Sequence, residues 1–591
     1  MIEKKIDPIL VSVFQKRLHS ICLQMGLTMK RTTQSPIFNQ AMDAAVGLYD
    51  VRGDMLAQYQ YIPCVSGGLR FGTKWLIKYF GDEIYDGDVF LHSDVYCDGN
   101  QAADWGMFKP VFYDGKLVAW SACKGHMADS GGAYPGGYNP PAMEVWAENL
   151  RLMPIKVIER GKRRRDVWDF IFANVRFPVV EADAIAMTGV VETGVRELKS
   201  LIDHYGMDIF KEYSVHIMDA TEREVRAAIE AIPDGTYYGE APVYVGGEFD
   251  KRMIKVNIMV KGNDITFDYT GTDPQVDYNF SNVPFMESTT ISLIGLVNVT
   301  NPYIPWNEGL LRPVHVVAPE GCILHPTFPH ACGLGNHLID SCHDAIMMAL
   351  APVLPDKVSA CWGQMNVVGV AFFDPRRNAG RFDILFEGAC GPGAGAVKGK
   401  DGHGYACSQG CCGGYWPDSE MFELVDPHLI LKHDWAQDSG GAGQWKGGYG
   451  TYTVHILKGG DNRGANFGGS YHEGDFPRGL FGGNEGTKNT YWVVLPDGTR
   501  RDLQQLDVWT VPEGTELHLI TAGGGGYGHP YLRPIEKVLE DVEDEMVSIK
   551  KAKEEYGVVI EQIDLMTLKV DYEQTEKLRK ETKEKAGREA S

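Results

Sequence analysis

In the run His126-Met127-Ala128-Asp129-Ser130-Gly131-Gly132 an imidazole and a carboxylate stand three residues apart, with two glycines behind them. A histidine and an aspartate so spaced can ligate one divalent cation when the backbone turns both inward. The glycines let the following loop approach an ion or a substrate closely. Upstream, Asp98-Gly99-Asn100-Gln101-Ala102-Ala103-Asp104 adds a further carboxylate, and Glu144 and Glu148 follow downstream. Imidazole mixed with carboxylate suits manganese, iron or zinc better than calcium or magnesium. Taken alone, the His-x-x-Asp spacing is more often a local hydrogen-bonded pair.

Two other clusters hold reactive groups. His403, Cys407, Cys411 and Cys412 bring four soft donors into ten residues, but without the paired spacing of structural zinc sites, and they read as buried free thiols. Cys322, Cys332 and Cys342 lie in apolar surroundings and read as core. Gly335-Asn336-His337, with Asp340 and His343, opens a predicted helix over residues 338–350, where capping is the simpler role and a cleft-facing acid or base the sharper one. The glycine run 523–528 follows a strand but precedes neither Lys-Ser/Thr nor a helix, so it is not a phosphate loop. A Gly-x-Ser-x-Gly nucleophile elbow is likewise lacking.

The elements that must position these groups alternate. Asp7-Pro8 is an N-cap followed by N1 proline, and Leu10, Phe14, Leu18, Ile21 and Met25 form a helical stripe ending near Gly26. Residues 45–125 read as short strands, with a hairpin turn at Asp114-Gly115. Residues 183–231 read as helices closed by Pro233-Asp234-Gly235, residues 235–270 as strands, and 288–299 as a buried helix. Residues 365–530 are strand-like and rich in glycine, and the charged stretch 535–591 reads as helices. The predicted class is α+β, β-rich and multi-domain, with divisions at 1–234, 235–325, 326–534 and 535–591.

Composition narrows the function. The 591 residues hold 57 Lys+Arg against 79 Asp+Glu, a net charge of −22, which disfavours nucleic-acid binding. The one basic run, residues 160–165, reads as a solvated turn. No apolar stretch of about 20 residues is present to span a membrane. The N-terminus lacks a signal-peptide pattern, and the twelve cysteines follow no secreted spacing, so a cytoplasmic location is expected.

Several runs together resemble the hydantoinase B/oxoprolinase family. They are the Asp7-Pro8-Ile9-Leu10 helix with Met25 to Thr32, Gly87-Asp88-Val89-Phe90-Leu91, the His126 to Gly132 run, and Asn149-Leu150-Arg151-Leu152-Met153-Pro154. Asn174-Val175-Arg176, Asn307 to Pro313, Gly440-Gly441-Ala442-Gly443, Gly479 to Gly483 and Gly523 to Gly528 come after them in the family's order.

The resemblance implies a subunit working with a larger, ATP-using hydantoinase A-type partner, which binds ATP and magnesium. It further implies either carboxylation of a ketone with bicarbonate, as in acetone and acetophenone carboxylases with a possible small third subunit, or hydrolysis of a cyclic amide. Of these, ketone carboxylation is the expectation, and a purely structural subunit is the remaining alternative. A divalent metal, manganese or zinc, is expected on Asp104, His126, Asp129 and Glu148. His126, Asp129 and His337 are the expected catalytic residues, and Gly131, Gly132 and Asn336 the expected substrate contacts. One departure stands out: where the family often has Thr-His-x-x-Asp, this chain has Asn100-Gln101-Ala102-Ala103-Asp104, and an amide is a poor metal ligand.

Overall fold

The structure, a computed structural model, describes residues 7–246, 250–333, 335–411, 413–564 and 567–589. The Asp7 carboxylate accepts from Ile9 N at 2.9 Å, as an N-cap should, and starts a helix over Pro8–Thr32. The predicted stripe is its buried face from Phe14 onward. The helix does not stop at Gly26. A Cβ there would lie 2.2 Å from the Tyr61 hydroxyl, so this glycine serves close packing rather than termination.

An antiparallel seven-stranded sheet forms the N-terminal half. Its order is Met55–Gln60, Ala44–Asp50, Lys116–His126, Asp104–Tyr113, Val89–His92, Ile155–Glu159 and Lys162–Arg163. The central hairpin turns at Asp114-Gly115, both with positive φ (49° and 72°), as its right-handed twist requires. Its register sets Asp104 opposite His126 and Gly106 opposite Lys124. Side chains alternate along a strand, so Lys124 and His126 share one face with Asp104, and Cys123 takes the other. The Pro63–Phe80 helix covers the first face. The Pro178–Tyr205 helix covers the second, where Cys123 Sγ donates to Met187 O. Behind the 63–80 helix lies Phe285–Val299, buried along nearly its whole length as predicted.

A second sheet, ordered Val314–Val317, Asp264–Asp268, Lys251–Lys261 and Gly235–Tyr244, packs against the Gly335–Leu350 helix. Two further sheets of four and five strands lie within residues 366–520.

The glycine excess has its explanation beside these sheets. A Cβ on Gly447 would lie 1.8 Å from Gly524 O, one on Gly524 2.0 Å from Ala394 O, and one on Gly523 2.0 Å from Ser439 O. Backbones stack there with no side chain between them. Gly524 N donates to Gly448 O, Gly525 N to Cys361 O and Gly526 N to Asn484 O, so these amides of the 523–528 run are spent on the fold. The tail holds the expected helices, at Ile535–Glu543, Ile549–Glu554 and Tyr572–Glu589, and also a hairpin of Ile560–Asp564 with Thr567–Val570 that its charged sequence did not announce. Among the described residues no helix is long and apolar enough to cross a membrane.

Candidate active site

The open end of the central hairpin brings His126 and Asp104 together across 22 residues of chain, Nδ1 to Oδ1 at 2.7 Å. Asn100 Nδ2 donates to the second Asp104 oxygen. The Tyr138 ring stacks on the imidazole at 5.2 Å, and Phe467 stands behind Tyr138. Around this pair are Lys124, Asn100 and Glu287, each with no exposed surface, and Glu287 comes from the otherwise uncharged 285–299 helix.

Lys124 Nζ, His126 Nε2, Asn100 Oδ1 and both Glu287 carboxyl oxygens are buried without a hydrogen-bond partner. Buried polar atoms are nearly always paired, so orphaned atoms gathered at one place mark a ligand site. A cleft of 620 Å3, lined by Asp98, Pro284, Phe285, Met286, Cys332 and Phe328 among others, opens beside the segments that hold Asn100 and Glu287. That volume suits a small organic molecule.

The electrostatics result from burial and pairing. Burial alone would lower the His126 imidazole, but the hydrogen bond and charge of Asp104 outweigh it and hold it above its ordinary value. Burial would likewise raise Asp104, yet His126 holds it below the usual carboxylate range. Burial pulls Lys124 down to about 8 against the attraction of Asp104 and Glu287. Burial, reinforced by Asp104, pushes Glu287 well up. Asp43 keeps part of its surface outside the core. Its surroundings still push its carboxyl up to about 8, through desolvation first, with His126 pulling the other way.

A buried imidazole with a carboxylate on one nitrogen and a free second nitrogen is the arrangement of a general base. Asp104 fixes the tautomer and stabilises the imidazolium formed when Nε2 takes a proton.

The other predicted residues fall elsewhere. Asp129 is not turned toward His126. Its carboxylate accepts from Arg176 N at 2.7 Å, Arg176 Nη1 at 3.0 Å and Gly136 N at 3.0 Å. The same guanidinium donates to Gly131 O and Gly132 O, so this stretch is a structural clamp closed by Arg176. Gly132 has φ 77°, and a Cβ on it would lie 1.8 Å from Glu148 O, so chain packing accounts for the glycine pair.

Glu148 is buried and caps Cys332 N and Gly333 N, with burial pushing its carboxyl up to about 8. Gln101 Nε2 donates to Gly333 O at 2.9 Å. The structure does not bring the predicted four donors together: two of the carboxylates are committed to backbone and guanidinium groups. Among the described residues no three His, Cys, Asp or Glu side chains converge on a position for an ion. The described residues do not assemble a donor set for the divalent metal that the resemblance implies.

Asn336 and His337 fall on the first turn of the 335–350 helix, and their side chains lie outside the described residues, as does Cys412. Asp340 accepts weakly from Met365 N and Gly410 N, and His343 Nε2 meets Asn298 Nδ2 at 3.2 Å. His403 is exposed, whereas Cys411 is buried with its Sγ 3.7 Å from that of Cys64. Sequence reasoning missed Lys124 and Glu287. Signals existed for both: Lys124 lies two residues before His126 in a strand, and Glu287 is an acid just before the predicted buried helix over 288–299.

Comparison with known proteins places the chain among relatives. The family described as hydantoinase B/oxoprolinase matches residues 7–530. The caprolactamase subunit beta of Pseudomonas jessenii is 34% identical over 581 residues, covering 94% of this chain and 97% of that one. The crystal structure of the ATP-dependent caprolactamase from Pseudomonas jessenii superposes with a TM-score of 0.91 at 32% identity, over 98% of this chain and all of the other. A nucleotide-free acetone carboxylase structure superposes equally well, at 0.91, over 98% of this chain and 83% of that one. Its identity is only 19%, a likeness of fold alone.

Proposed function

The chain belongs to the hydantoinase B/oxoprolinase family, and from that premise we propose that it is the B-type subunit of an ATP-dependent cyclic-amide hydrolase, joined to a hydantoinase A-type partner that uses ATP and magnesium. The observation behind this reading is the buried His126–Asp104 pair with Nε2 free, in a chain that matches a caprolactamase subunit beta over 94% of its length. The partner phosphorylates the carbonyl oxygen of the ring amide. His126 Nε2 then takes a proton from the water that adds to the activated carbon, and returns it to the ring nitrogen as the C–N bond breaks. A second water hydrolyses the acyl phosphate so formed. The apolar walls of Tyr138 and Phe467 limit access of bulk water to the activated carbon.

Ketone carboxylation, in which the site would hold an activated enolate while it joins bicarbonate-derived carbon, is the second reading. The Tyr138 ring over His126, backed by Phe467, would suit an apolar ketone and favours it. The test is the complex co-purified with its A-type partner. It is given ATP, labelled bicarbonate and a panel of caprolactam, hydantoin, 5-oxoproline, acetone and an aryl ketone. The expected result is ATP-dependent ring opening of at least one cyclic amide. Acid-stable label requiring both ATP and a ketone, without ring opening, overturns it in favour of the carboxylase.

A further inference from the structure

We propose that the Lys124 ammonium is the electrophilic group of this site, binding the anionic oxygen on the substrate's reacting carbon or its phosphoryl group, where the resemblance would place a divalent ion. The proposal rests on the reading of the site as one that handles an ATP-activated carbonyl.

Position is the first argument. Lys124 is two residues before His126 on the same strand face, and across the hairpin Asp104 shares that face. Any molecule within reach of His126 Nε2 from this side is therefore close to the ammonium.

The second argument is that the ammonium is unused. It has three donors, none engaged, no exposed surface, and no carboxylate within ion-pair distance among the described residues. An unpaired buried cation is strongly unfavourable, and an apolar side chain of equal length would fold better. A residue with that handicap is kept for a ligand.

The fold also makes room for it. The 63–80 helix passes over the strand at Gly68, where a Cβ would lie 3.0 Å from both Lys124 Nζ and Asn100 Oδ1. Removing the side chain there leaves space for two orphaned polar atoms at one place.

Finally, the donor set for a metal is incomplete. Gln101 stands where the family often has histidine and donates its amide to Gly333 O, while Asp129 and Glu148 are committed elsewhere. A fixed positive charge aimed at a developing oxyanion can do the electrostatic work of a Lewis acid without an ion.

The experiment compares wild type with Lys124→Met and Lys124→Arg in the assembled complex. Removing one oxyanion donor should lower kcat by about 100-fold or more. Lys124→Arg should recover part of it, the KM should change little, and the thermal midpoint of Lys124→Met should hold or rise. Activity of wild type stripped by chelator should return with Mg-ATP alone, without manganese or zinc. Lys124→Met activity within about three-fold of wild type overturns the proposal. So does loss of activity in step with a fallen thermal midpoint, or a strict need for added manganese or zinc.

Titration with inorganic phosphate separates this proposal from the hydrolase reading. If no cyclic amide is turned over, phosphate binding present in wild type and lost in Lys124→Met still supports the anion site. Binding equal in the two overturns it. Should Lys124→Met fail to assemble, Lys124→Gln carries the same measurements.

Discussion

Replacing Asp104 by asparagine keeps the shape of the side chain and removes its charge, at the one contact that makes His126 a base. The carboxylate accepts from His126 Nδ1 at 2.7 Å and from Asn100 Nδ2. An amide in its place has one acceptor for two donors. If its oxygen stays with Asn100, its NH2 faces His126 Nδ1, which must then lose its proton. The proton moves to Nε2, and the base is blocked. If its oxygen faces His126 instead, Asn100 must turn its own NH2 toward the Lys124 ammonium beside Gly68. Either way the imidazolium formed in catalysis loses its counter-charge. At a separation of about 4 Å and an effective dielectric near 20, that charge contributes about 4 kcal/mol, or roughly a 1,000-fold fall in kcat. The assay is steady-state ring opening by the assembled complex with saturating ATP, alongside a thermal melt. Asp104→Asn should lose rate without losing assembly. Adding Asn100→Asp should recover about ten-fold, because the new carboxylate accepts from the amide introduced at position 104 and turns its oxygen back to His126. Asp104→Asn that retains more than a tenth of wild-type kcat would show that His126 is not the base.

Two further outcomes concern the frame of the site. Asp183 receives Gln34 N and Ser35 N, yet burial pushes its carboxyl up to about 6, so the native state holds a proton that the unfolded chain has released above its ordinary value of 3.8. Stability from this group is therefore present at low pH and declines as pH rises through about 4 to 6, by about 3 kcal/mol. In chemical denaturation, wild type should lose that much more than Asp183→Asn across the interval, and parallel pH profiles would refute the assignment. Arg533, nearly wholly buried, pairs with Asp401 and Asp541 and so ties the tail to the glycine-rich region. Arg533→Met removes both pairs, but Asp541 keeps the Lys446 ammonium and Asp401 is about one-third exposed, so the cost should be about 1.5–3 kcal/mol. Hydrogen exchange should show protection falling first in Ile535–Glu543 and Ile549–Glu554, and an even loss across the chain would refute a local role.

What could be read from the sequence was what neighbouring residues determine. The stripe from Phe14 to Met25, the Asp7 cap, the Asp114-Gly115 turn and the buried helix expected over 288–299 are short-range facts, and each is found in the fold, the helix beginning three residues earlier. Gly26 and the glycines at 523–526 were harder, because what they pack against (Tyr61 in one case, distant backbone in the other) is far away in sequence. The same distinction explains the site. His126 and Asp129 are close in sequence, but the strand ends at His126 and the chain then bends, so Asp129 meets Arg176 instead. His126 meets Asp104 because the hairpin register pairs them, and the predicted turn fixes only the first pairs of that register. Counting back from Asp114-Gly115 sets Tyr113 against Lys116, and a bulge between Val111 and Phe112 shifts the count by one, which brings Asp104 opposite His126. Without that bulge the two side chains would point to opposite faces of the sheet. The base and its orienting carboxylate therefore depend on one irregularity that no motif in the chain records, and the Lys124 ammonium reaches the same face because a single residue, Gly125, separates it from His126.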